Sequence, residues 1–116
     1  MKEEPLFAKR ITAYIGKTKW HSNIYLRGVI ATWPFSKLEL FEKHLVIHIG
    51  ILRKRFKLKY TDIEYIKKGF CRIDIIHHNP RIDKYVYISG IGNGRLLYKR
   101  IKDTADKYKL KLRFLN

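Results

Sequence analysis

Residues 53–60 read Arg-Lys-Arg-Phe-Lys-Leu-Lys-Tyr, and residues 109–114 read Lys-Leu-Lys-Leu-Arg-Phe. Both runs alternate cations with apolar side chains. In an extended chain, successive side chains point to opposite faces of a sheet. Arg53, Arg55, Lys57 and Lys59 therefore share one face, and Phe56, Leu58 and Tyr60 share the other. Lys109, Lys111 and Arg113 oppose Leu110, Leu112 and Phe114 in the same way. Lys54 is out of step and belongs at the start of its strand. Such rows have one face in a core and one in water. The chemistry open to the wet face is neutralisation of an anion. Arg53, Lys54, Arg55, Lys57, Lys59, Lys109, Lys111 and Arg113 are thus the candidate anion-binding residues.

The rest of the chain carries the same sign. Its 116 residues include 26 Lys and Arg against 10 Asp and Glu, a net charge of +16. The excess is spread over both halves, so the folded body itself is cationic. Bodies of this kind attract nucleic acid, anionic membrane surfaces or acidic proteins. Near an acidic bilayer each Lys or Arg contributes about 1 kcal/mol, so four of them give about millimolar affinity. Useful membrane binding then needs the second row, the N-terminal segment or avidity from an oligomer. Exposed sheet edges make a homo-oligomer an option.

Other chemistries find little support. His44 and His48 are four residues apart, which on a strand separates them by about 13 Å, too far to share one metal ion. His77 and His78 are adjacent and point to opposite faces. Ser22, Ser36 and Ser89 lie in no nucleophile-elbow sequence. Asp62 with Glu64, and Asp103 with Asp106, read as a strand edge and a solvated helix face. Gly90-x-Gly92-x-Gly94 follows a strand and opens a helix, but lacks the Lys-[Ser/Thr] of a phosphate-binding P-loop. It reads as a connector. The one cysteine, Cys71, permits no intrachain disulfide and reads as a buried thiol. We expect no catalytic residue, metal or cofactor, and no small-molecule substrate is evident.

The positioning elements can be read from periodicity. Phe7, Ile11, Tyr14 and Ile15 have helix-like spacing, so residues 1–21 read as a basic amphipathic segment, with a strand as the alternative. Residues 22–116 read as one domain. Ser22–Thr32 is a strand that Trp33-Pro34-Phe35 bends or interrupts. Residues 37–41, 45–49, 54–60, 62–69, 72–78 and 84–89 follow as strands, with Asn79-Pro80-Arg81 as a turn. Over Arg95–Lys107, Leu97, Ile101, Ala105 and Tyr108 form a helical stripe that Asn93 could cap. Leu38, Leu40, Val46, Phe56, Leu58, Ile63, Ile73, Ile75, Leu97, Ile101, Leu112 and Phe114 are the expected core. The N-terminus has early acids and no continuous apolar stretch, unlike a signal peptide. No charge-free run is long enough to cross a bilayer.

This order resembles the pleckstrin-homology-like superfold, and within it the small bacterial PH-like and GRAM-like domains. The resemblance is carried by Trp33-Pro34-Phe35-Ser36-Lys37-Leu38-Glu39-Leu40, then Leu45-Val46-Ile47 and the basic strand ending at Tyr60. It continues through Asp62-Ile63-Glu64-Tyr65-Ile66, Ile73-Asp74-Ile75-Ile76-His77, the strand Tyr85–Ile88 and the final helix. It implies a mainly β (α+β) fold, a bent antiparallel sandwich or barrel of about seven strands capped by a C-terminal α-helix. It also implies a non-enzymatic binding module. In that superfold a basic cluster across the first hairpin often binds phosphoinositides. Here the hairpin carries Lys37, Lys43, His44 and His48 with no Arg, and the clustered cations lie one strand later. The expected function is docking of an anionic membrane surface or acidic protein through a basic sheet face, in the cytoplasm or peripheral to the membrane. Nucleic-acid binding by the same face, and a self-assembling protein–protein adaptor, are the alternatives.

Overall fold

The computed structural model describes residues 4–16, 28–50, 54–69, 72–90 and 94–115, with 28–35 and Gly94 described through their backbone alone. The elements run β1 (Phe7–Gly16), β2 (Gly28–Leu40), β3 (His44–Ile49), β4 (Lys54–Lys59), a 3-10 turn at Tyr60–Asp62, β5 (Ile63–Lys68), β6 (Ile73–His77), β7 (Tyr85–Ser89), α1 (Gly94–Tyr108) and β8 (Phe114–Leu115). They form an eight-stranded sheet in the order β4-β3-β2-β1-β7-β6-β5-β8. Every pairing is antiparallel except β5 with β8. The protein is mainly β with one C-terminal helix, as its sequence implies.

The N-terminal expectation is corrected. Residues 7–16 are not a helix but β1, paired with β2 on one side and β7 on the other. Ile11, Ala13 and Ile15 alternate with Thr12 and Tyr14, and that period of two outweighs the helix-like spacing 7, 11, 14, 15. Ile, Thr and Tyr also favour strands. From Ala13 to Gly16, pairing along both edges gives the backbone hydrogen-bonding partners on each side. Ile11, Ala13 and Ile15 are buried on one face, and on the other Tyr14 is buried against Tyr87, with ring centroids 5.8 Å apart. The Arg72 guanidinium lies 3.9 Å from the Tyr87 ring centroid. Burial pushes the Tyr87 phenol up in pKa, against the opposing pull of Arg72.

The two strands expected on either side of Trp33-Pro34-Phe35 are one strand, β2. Between the pairs Ile11↔Ser36 and Ala13↔Ala31, β2 advances five residues while β1 advances two. The three extra residues are accommodated as a bulge, the place in a sheet where a proline fits because it has no N–H to donate. The Ser36 hydroxyl donates to the Ile11 carbonyl at 2.5 Å beside this bulge. The boundary expected near residue 21, Cys71, Arg53 and the capping Asn93 all lie outside the described residues.

Inward-pointing residues of β2, β3 and β4 align across the sheet. Leu38 pairs with Ile47, and Ile47 with Phe56; Leu40 pairs with Leu45, and Leu45 with Leu58. They join Ile66, Ile73, Ile75, Val86, Leu97 and Ile101 in a single core. Residues from β4, near one end of the strand order, and from β5, near the other, therefore meet, so the sheet must curl around its own apolar face. Phe56, Leu112 and Phe114, expected as core, are half-buried and packed against its margin.

The helix forms where its stripe predicts. Leu97, Tyr98, Ile101 and Ala105 are buried, whereas Tyr108 is 43% exposed. Its end is set by a Schellman arrangement: the Leu110 N–H donates to the Ala105 carbonyl at 2.9 Å, and Lys109 adopts φ 55°. Residues 109–113 are thus a helix cap and an extended connector rather than the expected strand, and β8 is only Phe114–Leu115. The expected alternation survives in burial: Lys109, Lys111 and Arg113 are exposed, Leu110 is buried and Leu112 half-buried.

A lysine in the left-handed region costs about 1–2 kcal/mol. Glycine would remove that strain but lose about 0.5–1 kcal/mol through its freer unfolded state. Lys109→Gly should therefore stabilise the fold by about 0.5–1 kcal/mol, raising Tm by about 2–5 °C. Thermal unfolding followed by circular dichroism checks this, and a lowered Tm would show that the lysine side chain itself holds the cap.

Candidate anion-binding site

β4 lies at one end of the strand order, so one of its edges faces no strand of the sheet. Arg55, Lys57 and Lys59 are exposed along it, and Leu58 between them is buried. The chain then turns sharply. The Tyr60 N–H donates to the Lys43 carbonyl at 3.0 Å, and its phenol donates to the Phe41 carbonyl at 2.5 Å. These two bonds fasten the end of β4 to the β2–β3 turn and fix the positions of Lys43 and His44 beside Lys59. The Phe41 and His44 rings stack at 4.8 Å.

Next to this junction lies a cleft of about 540 Å³, lined by Glu42, Lys43, His44, Lys57, Lys59, Tyr60, Thr61, Tyr108, Lys109 and Lys111. One wall is the β3–β4 hairpin, and the other is the end of α1 with its connector. The two basic runs noted in the sequence, some 50 residues apart, therefore meet around one cavity. Its volume lies in the range common for ligand sites. Tyr108, expected to pack inward, instead presents its ring here because the helix stripe turns away from the core at its last residue.

A second cleft, of about 670 Å³, lies against β4. Arg55, Phe56, Lys57 and Lys59 form one wall, and Asp62, Asn79, Pro80, Arg81 and Ile82 form the other. The opposite wall is the turn between β6 and β7, which buried His77 organises. Its Nδ1 accepts the Asn79 N–H at 3.0 Å, so the ring proton sits on Nε2 and is donated to the Asp83 carbonyl at 3.0 Å. The Asn79 side chain in turn accepts the Arg81 N–H at 2.8 Å and donates to Asp62 at 3.1 Å. The acidic group of this cleft is thus hydrogen-bonded to its own wall. His77 is a structural residue, which its place in an apolar strand left open.

The outer face of the sheet carries a third cationic feature. Arg10, Lys37, His48 and Arg55 occupy directly paired positions on β1, β2, β3 and β4. Glu39 interrupts it, bonded to His48 and lying 3.5 Å from Lys37. Burial alone would raise the Glu39 carboxyl, but the hydrogen bond and charge of His48, with the charge of Lys37, outweigh it and hold the pKa below the ordinary carboxylate range. The centre of the face is therefore internally neutralised, and the uncompensated cations lie toward β4.

The expected site residues thus divide. Lys57, Lys59, Lys109 and Lys111 come together in the first cleft, and Arg55 joins Lys57 and Lys59 in the second. Lys54 is exposed at the start of β4, and Arg113 sits beside β5, where its carbonyl accepts the Ile66 N–H; neither lines either of these two clefts. Lys43, His44, Tyr108 and Arg81 were not among the expected site residues. Their shared signal was position at turns flanking the basic strand, which acquires meaning only after folding. Among the described residues, no three His, Cys, Asp or Glu side chains gather as a metal site, and no helix is long and apolar enough to cross a membrane. Compared with known proteins, the chain matches no family model, no curated protein and no solved structure.

The depressed Glu39 pKa has a definite sign. A carboxyl whose folded pKa lies below its unfolded value stabilises the fold above the unfolded pKa, and that contribution is lost as pH falls through the folded one. Glu39→Gln should lower stability to urea at neutral pH, with the difference from wild type vanishing in acid below the carboxylate range. A difference that persists undiminished in acid would locate the effect in packing rather than charge.

Proposed function

We propose that this protein is a non-enzymatic binding module of PH-like architecture, which docks an anionic partner through β4. The observation that carries this reading is the meeting of Lys57 and Lys59 with Lys109 and Lys111 around one cleft. Like charges brought this close repel one another, and an anion bound among them removes that cost. The PH-like part of the reading rests on the order of the sequence motifs, supported by an antiparallel sheet that curls over a core and is followed by one C-terminal helix.

The test compares two variants that remove equal charge. In one, Arg55→Gln, Lys57→Gln and Lys59→Gln strip β4. In the other, Lys99→Gln, Arg100→Gln and Lys102→Gln strip exposed positions of α1 outside both clefts. Each protein is presented with phosphatidylserine vesicles, poly-glutamate and single-stranded oligonucleotides at low and physiological salt. The β4 variant should bind the preferred probe about a hundredfold more weakly, from about 1 kcal/mol per cation. The helix variant should stay close to wild type. Equal losses in the two variants would show that net charge, rather than a site at β4, attracts the anion.

A further inference from the structure

The two clefts share Lys57 and Lys59, so they flank the same strand and form one cationic path along the sheet edge. We propose that this path is a track for single-stranded nucleic acid, its phosphodiester chain running from Lys109 and Lys111, across Lys59 and Lys57, to Arg81. The proposal rests on the reading of β4 as the anion-docking strand and names the partner.

Shape separates the anionic candidates. The cations line the facing walls of concave clefts. A bilayer is flat and would meet the rims of such clefts, while a narrow chain of phosphates can enter and touch both walls. The wall shared by the two clefts, β4, is six residues long, about 20 Å, enough for several successive nucleotides. Because β4 ends the strand order, no other strand of the sheet bars a chain from running along it.

The apolar side chains of the path point the same way. Tyr108 is 43% exposed on the wall of the first cleft, and half-buried Phe56 lines the second. Aromatic rings interleaved with cations in a groove are what single-stranded nucleic acid uses, because every base has a face that can stack. Poly-glutamate has charge without rings and gains nothing from Tyr108. The two carboxylates of the path, Glu42 and Asp62, are outnumbered by Arg55, Lys57, Lys59, Arg81, Lys109 and Lys111. Phosphate contact and ring stacking do not depend on base identity, so the expected recognition is general for single strands.

The experiment measures binding of the full chain to fluorescein-labelled oligo(dT) and oligo(rU) of about 12 nucleotides, within the usual site size. Anisotropy is followed through a salt titration, with phosphatidylserine vesicles and poly-glutamate as competitors. The oligonucleotides should bind more tightly than either competitor at physiological salt. The logarithm of affinity should fall with the logarithm of salt with a slope of about −3 if four phosphates are engaged. Lys109→Gly, which should leave the fold at least as stable, and Arg81→Gln should each reduce that slope by about 0.7. Tyr108→Ala should weaken binding about fivefold or more with the slope unchanged. Lys99→Gln with Lys102→Gln serves as the charge control, and wall variants that lose no more than this control would overturn the track. Tighter binding of vesicles or poly-glutamate than of oligonucleotides, abolished by the β4 triple variant, would overturn the nucleic-acid partner and leave β4 as the docking strand. Retention of none of the probes at physiological salt would overturn both readings.

Discussion

From Ala13 to Gly16, β1 is paired along both edges, to β2 on one side and β7 on the other. That double pairing joins the two halves of the sheet. Without it, β2–β3–β4 and β5–β6–β7 would be separate three-stranded meanders that share no core. Ile11, Ala13 and Ile15 are buried at the joint because they face both halves of the core at once. The bulge opposite Thr12 lets β2 leave the register of the outer half and resume it beside Ala13, so the sheet can turn there without losing its ladder.

An end strand presents unpaired backbone groups, and β4 is an end strand. Its cations answer that liability, since Lys on an edge repels a second copy of the same edge. The other end of the sheet is handled differently, because β8 is only two residues long. The charge on β4 therefore has a structural use besides the binding proposed for it. The structural use calls for cations anywhere along the edge. It does not call for Lys109 to occupy a left-handed cap, or for Lys43 and Arg81 to stand on walls facing the strand. Those placements are the ones the proposed binding would use.

Charge is also balanced unevenly across the sheet. Glu39 lies among Lys37, His48 and the outer ends of the neighbouring strands, and it neutralises the middle of the face. Toward β4 each cleft holds one carboxylate, Glu42 in the first and Asp62 in the second, outnumbered by the cations on its walls. Among the described residues, cations thus outnumber carboxylates in the two grooves, while the middle of the outer face is paired. A groove with low-dielectric walls strengthens the field of its cations relative to a flat surface.

Local pattern settled the strand character of β3 to β7, the extent of α1, most of the core and the cationic row on β4. These follow from side-chain periodicity, which a residue carries whatever its distant neighbours do. Two local readings failed for the same reason. Phe7, Ile11, Tyr14 and Ile15 fit a helix as well as a strand, and only partners on both edges decided for the strand. Lys109–Arg113 alternate as a strand would, but no neighbour lies in register, so they form a cap and a connector. The site itself was half legible. Periodicity could mark Lys57, Lys59, Lys109 and Lys111 as exposed cations, but not that they would face one another. Their meeting requires the sheet to curl and the end of α1 to reach the β2–β3 turn, and both are long-range consequences of burying one apolar face. Sequence alone determined which side chains would be wet and charged. Tertiary structure alone decided which of them share a cavity, because that depends on how strands far apart in the chain are ordered in the sheet.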